Sequence, residues 1–145
     1  MMPSKPRVLI CGSRYYTDFD TVLHFVQTLP GGTVIIEGEA KGADKLSRYA
    51  AEMCDYSNEQ ILRFPADWKT YHKAAGPIRN QQMLAEGKPT HVVAFHEDLF
   101  GSKGTYHMCS IAVKLGLPVT VNTGTWEDVE EGIGNISLQD LKAKK

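Results

Sequence analysis

The sequence predicts an α/β protein: a Rossmann-like three-layer sandwich built on a parallel sheet of strand order 3-2-1-4-5. Three observations carry that prediction. Five short apolar runs, Arg7 to Cys11, Thr33 to Ile36, Gln60 to Phe64, Thr90 to Phe95 and Val119 to Val121, have the composition of strands buried on both faces. Amphipathic helical patterns alternate with them, which implies right-handed crossovers and a sheet covered on both sides. Glycine-bearing loops follow the first and second runs and precede the last helix before the fifth, at the edge where such sheets bind ligands.

The elements follow in order. After Gly12-Ser13-Arg14, Thr17 with Asp20 three residues later forms a capping-box signature. Phe19, Val22, Leu23, Val26 and Leu29 then recur at helical spacing until Pro30-Gly31-Gly32. The stretch from Glu37 to Asp44 turns helical at Ala43, and Leu46, Ala50, Met53 and Cys54 continue one face. Residues 65–76 lack periodicity and carry Trp68, Tyr71, His72 and Lys73, as expected of a functional loop. Pro77 suits a first helical position, opening a helix to about Glu86. Ser102 to Thr105 opens another, with Met108, Ile111, Ala112 and Leu115 on one face and Gly116 as its cap. Ser137 and Asp140 suggest a last short helix, Leu138 to Lys144. We therefore expect a domain over residues 1–125 and a tail over 126–145.

Composition narrows the function. With 145 residues, 42% of them apolar and 23% charged, the chain has the size and balance of one globular domain. A net charge of −1 offers no basic surplus for nucleic acid, which makes it an unlikely partner. Cys11, Cys54 and Cys109 form no CxxC pair and read as small buried residues. Neither a signal peptide nor a run of about 20 apolar residues is evident, so a cytoplasmic protein is expected.

The loops also exclude functions. GxGxxG is missing after the first strand, which argues against an ordinary nicotinamide-dependent dehydrogenase. Gly38 to Gly42 is one residue too short for a phosphate-binding Walker loop and lacks its Lys-Ser/Thr. Ser13 lacks a GxSxG elbow, and the five histidines have no metal-ligand spacing. What remains are glycine-rich strand-to-helix turns, whose amides and helix dipoles suit an anion.

Four motifs then coincide. Gly12-Ser13-Arg14-Tyr15-Tyr16, Gly38-x3-Gly42-Ala43-Asp44, the run from Pro65 through Asn80, and Gly104-Thr105 resemble the SLOG superfamily, most closely its YspA-related branch, over residues 7–122. Lys73 to Asn80 is the most specific part. The resemblance implies a Rossmannoid fold, a nucleotide or nucleotide-derived ligand such as ADP-ribose, NAD or a nucleoside monophosphate, and homo-oligomers. It also brings two other activities: lonely-guy relatives are phosphoribohydrolases, and DNA-processing protein A relatives bind DNA. The lonely-guy signature GGxGTxxE departs here at Ser102 and at Met108, which stands where the glutamate should be. Tyr106-His107 replace the branch's Ala-Asp, and His72 stands where it usually has glycine.

The expected site is thus Gly12, Ser13, Arg14, Glu37, Gly38, Gly42, Ala43, Asp44, Arg79, Asn80, Lys103, Gly104 and Thr105, with no metal indicated and no catalytic residue identified. Arg14 and Arg79 would fork onto phosphate. Gly38 and Gly42 would let the backbone approach it. Asp44 would accept from a ribose hydroxyl, or else complement its helix dipole. Glu37 and Glu39 would orient a base or a water, solvated loop acids being the ordinary reading. Lys103, Gly104 and Thr105 would hold a second phosphate. Trp68 and Tyr71 would stack on a base or, more commonly for loop aromatics, pack. A sensor or binding module leads; a hydrolase cleaving an N-glycosidic or phosphate bond, with Glu37, Glu39 or Asp44 as acid or base, is the alternative.

Overall fold

A computed structural model describes residues 5–96 and 103–122, and the backbone of 135–136. The strands are β1 (Arg7–Gly12), β2 (Val34–Glu37), β3 (Ile61–Arg63), β4 (His91–Phe95), β5 (Val119–Asn122) and β6 (Asn135–Ile136). The helices are α1 (Phe19–Gln27), α2 (Ala43–Met53), α3 (Trp68–Tyr71), α4 (Ala75–Gly87) and α5 (Lys103–Lys114). The first five strands are all parallel, in the expected order 3-2-1-4-5. The sequence reading did not include β6, which adds an antiparallel edge beside β5. Two residues with no alternating pattern carry no strand signal. The expected helix 138–144 lies outside the described residues.

Period-two alternation builds both cores. Leu9, Cys11, Val92 and Ala94 face one side, with Met83 and Leu84 of α4 and Met108, Cys109 and Ala112 of α5. Val8, Ile10, Val93 and Phe95 face the other, with Val22, Phe25 and Val26 of α1 and Ala43, Ala50 and Ala51 of α2. Parallel strands covered on both faces must be apolar on both, which is why these runs show no polar alternation.

Local expectations needed three corrections. The α1 cap is Asp18, whose carboxylate accepts from the Thr21 amide and hydroxyl, and not the Thr17–Asp20 pair. The stretch 65–76 is not a plain loop. Asp67 caps α3 through the Thr70 amide, a 3-10 turn spans His72–Ala74, and α4 starts at Ala75. Pro77 is therefore the third residue of α4, still within the first turn where its missing N–H costs nothing. The α5 stop matches its glycine: Gly116 has φ +82°, and the Gly116 and Leu117 amides reach back to Val113 and Ala112.

His72 sits at φ 51° and ψ −128°, a region that side chains rarely adopt. The turn from α3 into α4 imposes that geometry. Replacing His72 by glycine should stabilise the fold by about 1 kcal/mol, the relief of strain exceeding the added chain entropy. Urea denaturation checks this; a midpoint unchanged or lowered would show that the turn carries no strain.

Candidate functional site

The five parallel strands end at one edge, and the loops leaving it are joined by direct contacts. Gly12 closes β1 at φ +149°, where a Cβ would run into the Phe95 carbonyl and the Ala43 methyl. Buried Ser13 bonds through its amide to the Phe95 carbonyl, while its own carbonyl accepts from the Tyr16 and Ala43 amides. The start of α2 is thereby clamped to the β1–α1 loop. Gly42, at φ +77°, lies directly against the Ser13 and Arg14 backbone.

The next contact runs from the β2–α2 turn to α4. The Asp44 Oδ2 accepts from the Gly38 amide at 3.1 Å and the Ala40 amide at 3.3 Å. The Arg79 Nη1 donates to the Gly38 carbonyl at 2.5 Å, and its Nε to the Asn80 Oδ1 at 3.1 Å. A Cβ on Gly38 would collide with that guanidinium, so only glycine leaves room for it. Buried Asn80 continues the arc, with its amide nitrogen 3.2 Å from the Gly104 carbonyl and 3.1 Å from His107 Nδ1. Thr105 is buried at the same helix start, while Lys103 and Gly104 are exposed. Arg14 is exposed and lies 6.0 Å from the Tyr15 ring.

The structure therefore links Gly12, Ser13, Gly42 and Ala43; then Gly38, Asp44 and Arg79; then Asn80 and Gly104. It places no direct contact between Arg14, Arg79 and Lys103. Four amides of the Glu37–Asp44 turn, expected from sequence to be bare, are occupied. The Gly38 and Ala40 amides are taken by Asp44, Glu39 by Glu37, and Ala43 by Ser13. Asp44 fills the anion seat of its own turn. Among the described residues its Oδ1 has no hydrogen-bond partner.

Electrostatics separates the acids. Glu37 and Glu39 are not solvated. Glu37 is fully buried; its Oε1 accepts from the Glu39 amide at 2.7 Å, and its Oε2 has no partner. Burial pushes its carboxyl up to about 8, against the opposing pull of the Glu39 amide. It is therefore largely uncharged at neutral pH. Burial lifts Asp44 to about 6, with Arg79 the main opposing influence. Glu39 holds a positive φ of 60° and is paired with Arg48 at 2.8 Å and Arg63 at 3.6 Å. Arg79 makes no ion pair within 4.0 Å among the described residues. Below the arc, Cys11 is held in its thiol form chiefly by its hydrogen bond to Cys109 and by burial.

Sequence reasoning missed His107, which meets Asn80 across the helices. The signal was its place early in α5, three residues from Gly104 and so on the same helix face. Burial and proximity to Lys114 lower its pKa, so a neutral ring is favoured there. Among the described residues no group of three or more His, Cys, Asp or Glu could hold a metal.

The YspA, cpYpsA-related SLOG family model matches residues 6–71. Gene 61 protein of Mycobacterium phage D29 is 36% identical over 124 residues, spanning 81% of this chain and 96% of that relative. The chain belongs to this SLOG family. The matched residues include the Gly12–Tyr16 loop and the whole Gly38–Asp44 turn. The fold agrees: the X-ray structure of DNA processing protein A (DprA) from Streptococcus pneumoniae is similar at a TM-score of 0.69 and 21% identity. That similarity covers 96% of this chain but 61% of the DprA chain. No helix among the described residues is long and apolar enough to cross a membrane.

Proposed function

We propose that this SLOG domain binds a nucleotide-derived phosphate ligand, of the nucleoside monophosphate or ADP-ribose class, at the strand C-terminal edge, and works as a sensor or binding module. One observation carries the reading. The Arg79 guanidinium is half-buried and held by two neutral acceptors, Gly38 and Asn80, without an ionised partner in contact. Asp44 lies near enough to feel its charge but takes none of its N–H groups, and a positioned guanidinium free of a direct ion pair suits a phosphate. The proton on Glu37 adds to this by removing a negative charge from the same edge. Asp44 Oδ1 would accept from a ribose hydroxyl while Oδ2 holds the turn. Arg14, in the loop after β1, and Lys103, at the start of α5, are both exposed and would close on further phosphate oxygens.

A thermal-shift panel of AMP, ADP-ribose, NAD and ribose 5-phosphate tests the reading. At least one should raise the melting temperature of the wild type, and Arg79→Met should weaken it about 10- to 100-fold, the loss of a charged hydrogen-bond pair. No response to any compound, or equal responses in both proteins, would overturn it.

The hydrolase reading keeps one support. Asp44, lifted to about 6, is in the range of a general acid–base group. Glu39 is tied up by Arg48, and the glutamate position of the lonely-guy signature is the buried Met108. Chromatography after incubation with AMP and NAD decides: released base or nicotinamide supports cleavage, and intact substrate leaves binding alone. Homo-oligomerisation, which the resemblance implies, is checked by native mass spectrometry of the same sample.

A further inference from the structure

Trp68 is the first residue of α3, fixed there by the Asp67 cap, yet its side chain is 58% exposed. A packing role for a loop tryptophan predicts burial, and this ring is not buried. Its inner edge rests on Gly76, where an added Cβ would lie 3.5 Å from the ring. Gly76 shares one face of α4 with Arg79 and Asn80, three and four residues on. The indole is therefore seated one helical turn from the guanidinium that faces the sheet edge. Between Asp67 and Glu86 the charge is one-sided. Residues 68–85 contain Lys69, Lys73, Arg79 and His72 and none of the chain's 17 acids. An exposed aromatic plane near several cations fits a group that joins a flat base to a phosphate.

We propose that Trp68 is the stacking platform for the base of the ligand whose phosphate Arg79 holds. This rests on the function proposed above and narrows it: the site selects a nucleotide over a bare sugar phosphate.

The chain has two tryptophans, so Trp126→Phe leaves Trp68 as the single tryptophan, excited selectively at wavelengths that tyrosine does not absorb. In that protein, AMP should quench the emission and ribose 5-phosphate should not. Calorimetry then separates the contributions. Trp68→Ala should weaken AMP on the order of tenfold or more, as for base–aromatic stacking elsewhere, with Trp68→Phe in between. Ribose 5-phosphate should bind Trp68→Ala and wild type alike. Equal AMP affinity in wild type and Trp68→Ala, or an equal loss for both compounds, overturns the stacking role. A change confined to oligomeric state would assign the ring to a contact between copies and overturn it too. If AMP binding depends on Arg79 but not on Trp68, this inference alone fails; if no phosphate compound binds the wild type, both readings fail. A dT oligonucleotide is the last arm: tight binding of the strand with none of AMP would replace the small-ligand platform by a nucleic-acid surface.

Discussion

Glu37→Gln is expected to make the protein markedly more stable at pH 8.5 and to flatten its pH profile. Glu37 has a folded pKa of about 8 against an ordinary 4.5. The folded state therefore holds a proton that the unfolded chain releases. The stability associated with this group is fully present below pH 4.5 and is lost as pH rises towards 8, then stays constant. Between pH 5.5 and 8.5 the wild type should lose about 3 kcal/mol that the glutamine variant keeps. Asp44, raised from 3.8 to about 6, acts in the same direction in a lower window and is common to both proteins. Glutamine retains an acceptor for the Glu39 amide, while its NH2 takes the unpartnered Oε2 position, costing about 1 kcal/mol or more. The variant should thus be no better than wild type at pH 5.5 and clearly better at pH 8.5. Urea denaturation at the two pH values measures this. Parallel profiles would show that Glu37 is ionised and partnered in solution. The same titration links stability to binding: as Glu37 charges above pH 8, an anionic ligand should bind more weakly.

Gly42→Ala should cost about 4 kcal/mol, combining backbone strain with a clash against atoms that cannot move aside. The residue holds φ 77° and ψ −131°. A Cβ there would approach the Arg14 carbonyl carbon to 2.5 Å and its oxygen to 2.6 Å, besides meeting the Ser13 carbonyl. These are backbone groups, and the Ser13 carbonyl is the one that clamps Ala43. Relief would require separating the β1–α1 loop from α2, which would also move Arg14. Gly31→Ala is the control, since nothing lies within 4 Å of a Cβ there. Denaturation midpoints of the two variants decide; a Gly42→Ala protein within about 1 kcal/mol of Gly31→Ala would mean that the loop contact is not held.

The sheet was readable because both-face burial leaves unbroken apolar runs, and Leu9 and Ile10 point to opposite cores without a polar residue between them. The glycines of the edge were readable as close approaches, and Gly12, Gly38 and Gly42 each abut another chain segment. The direction of the turn's hydrogen bonds was not readable. Nothing local distinguishes an Asp44 that greets a ligand from one that folds back on the Gly38 and Ala40 amides. The burial of Glu37 was equally hidden: a glutamate before glycine reads as a loop acid, and only the layer of helix above β2 removes it from water. The α3 turn escaped because four residues give no periodicity, its stability coming from the Asp67 cap.

Chemical-shift mapping of the backbone amides during titration with AMP locates the phosphate on the protein. The predicted perturbations cluster at Gly12 to Arg14, Gly38 to Asp44, Arg79 to Asn80 and Lys103 to Thr105, and disappear in Arg79→Met. Saturable shifts confined to another surface, or none at millimolar AMP, would contradict a phosphate ligand at the strand C-terminal edge.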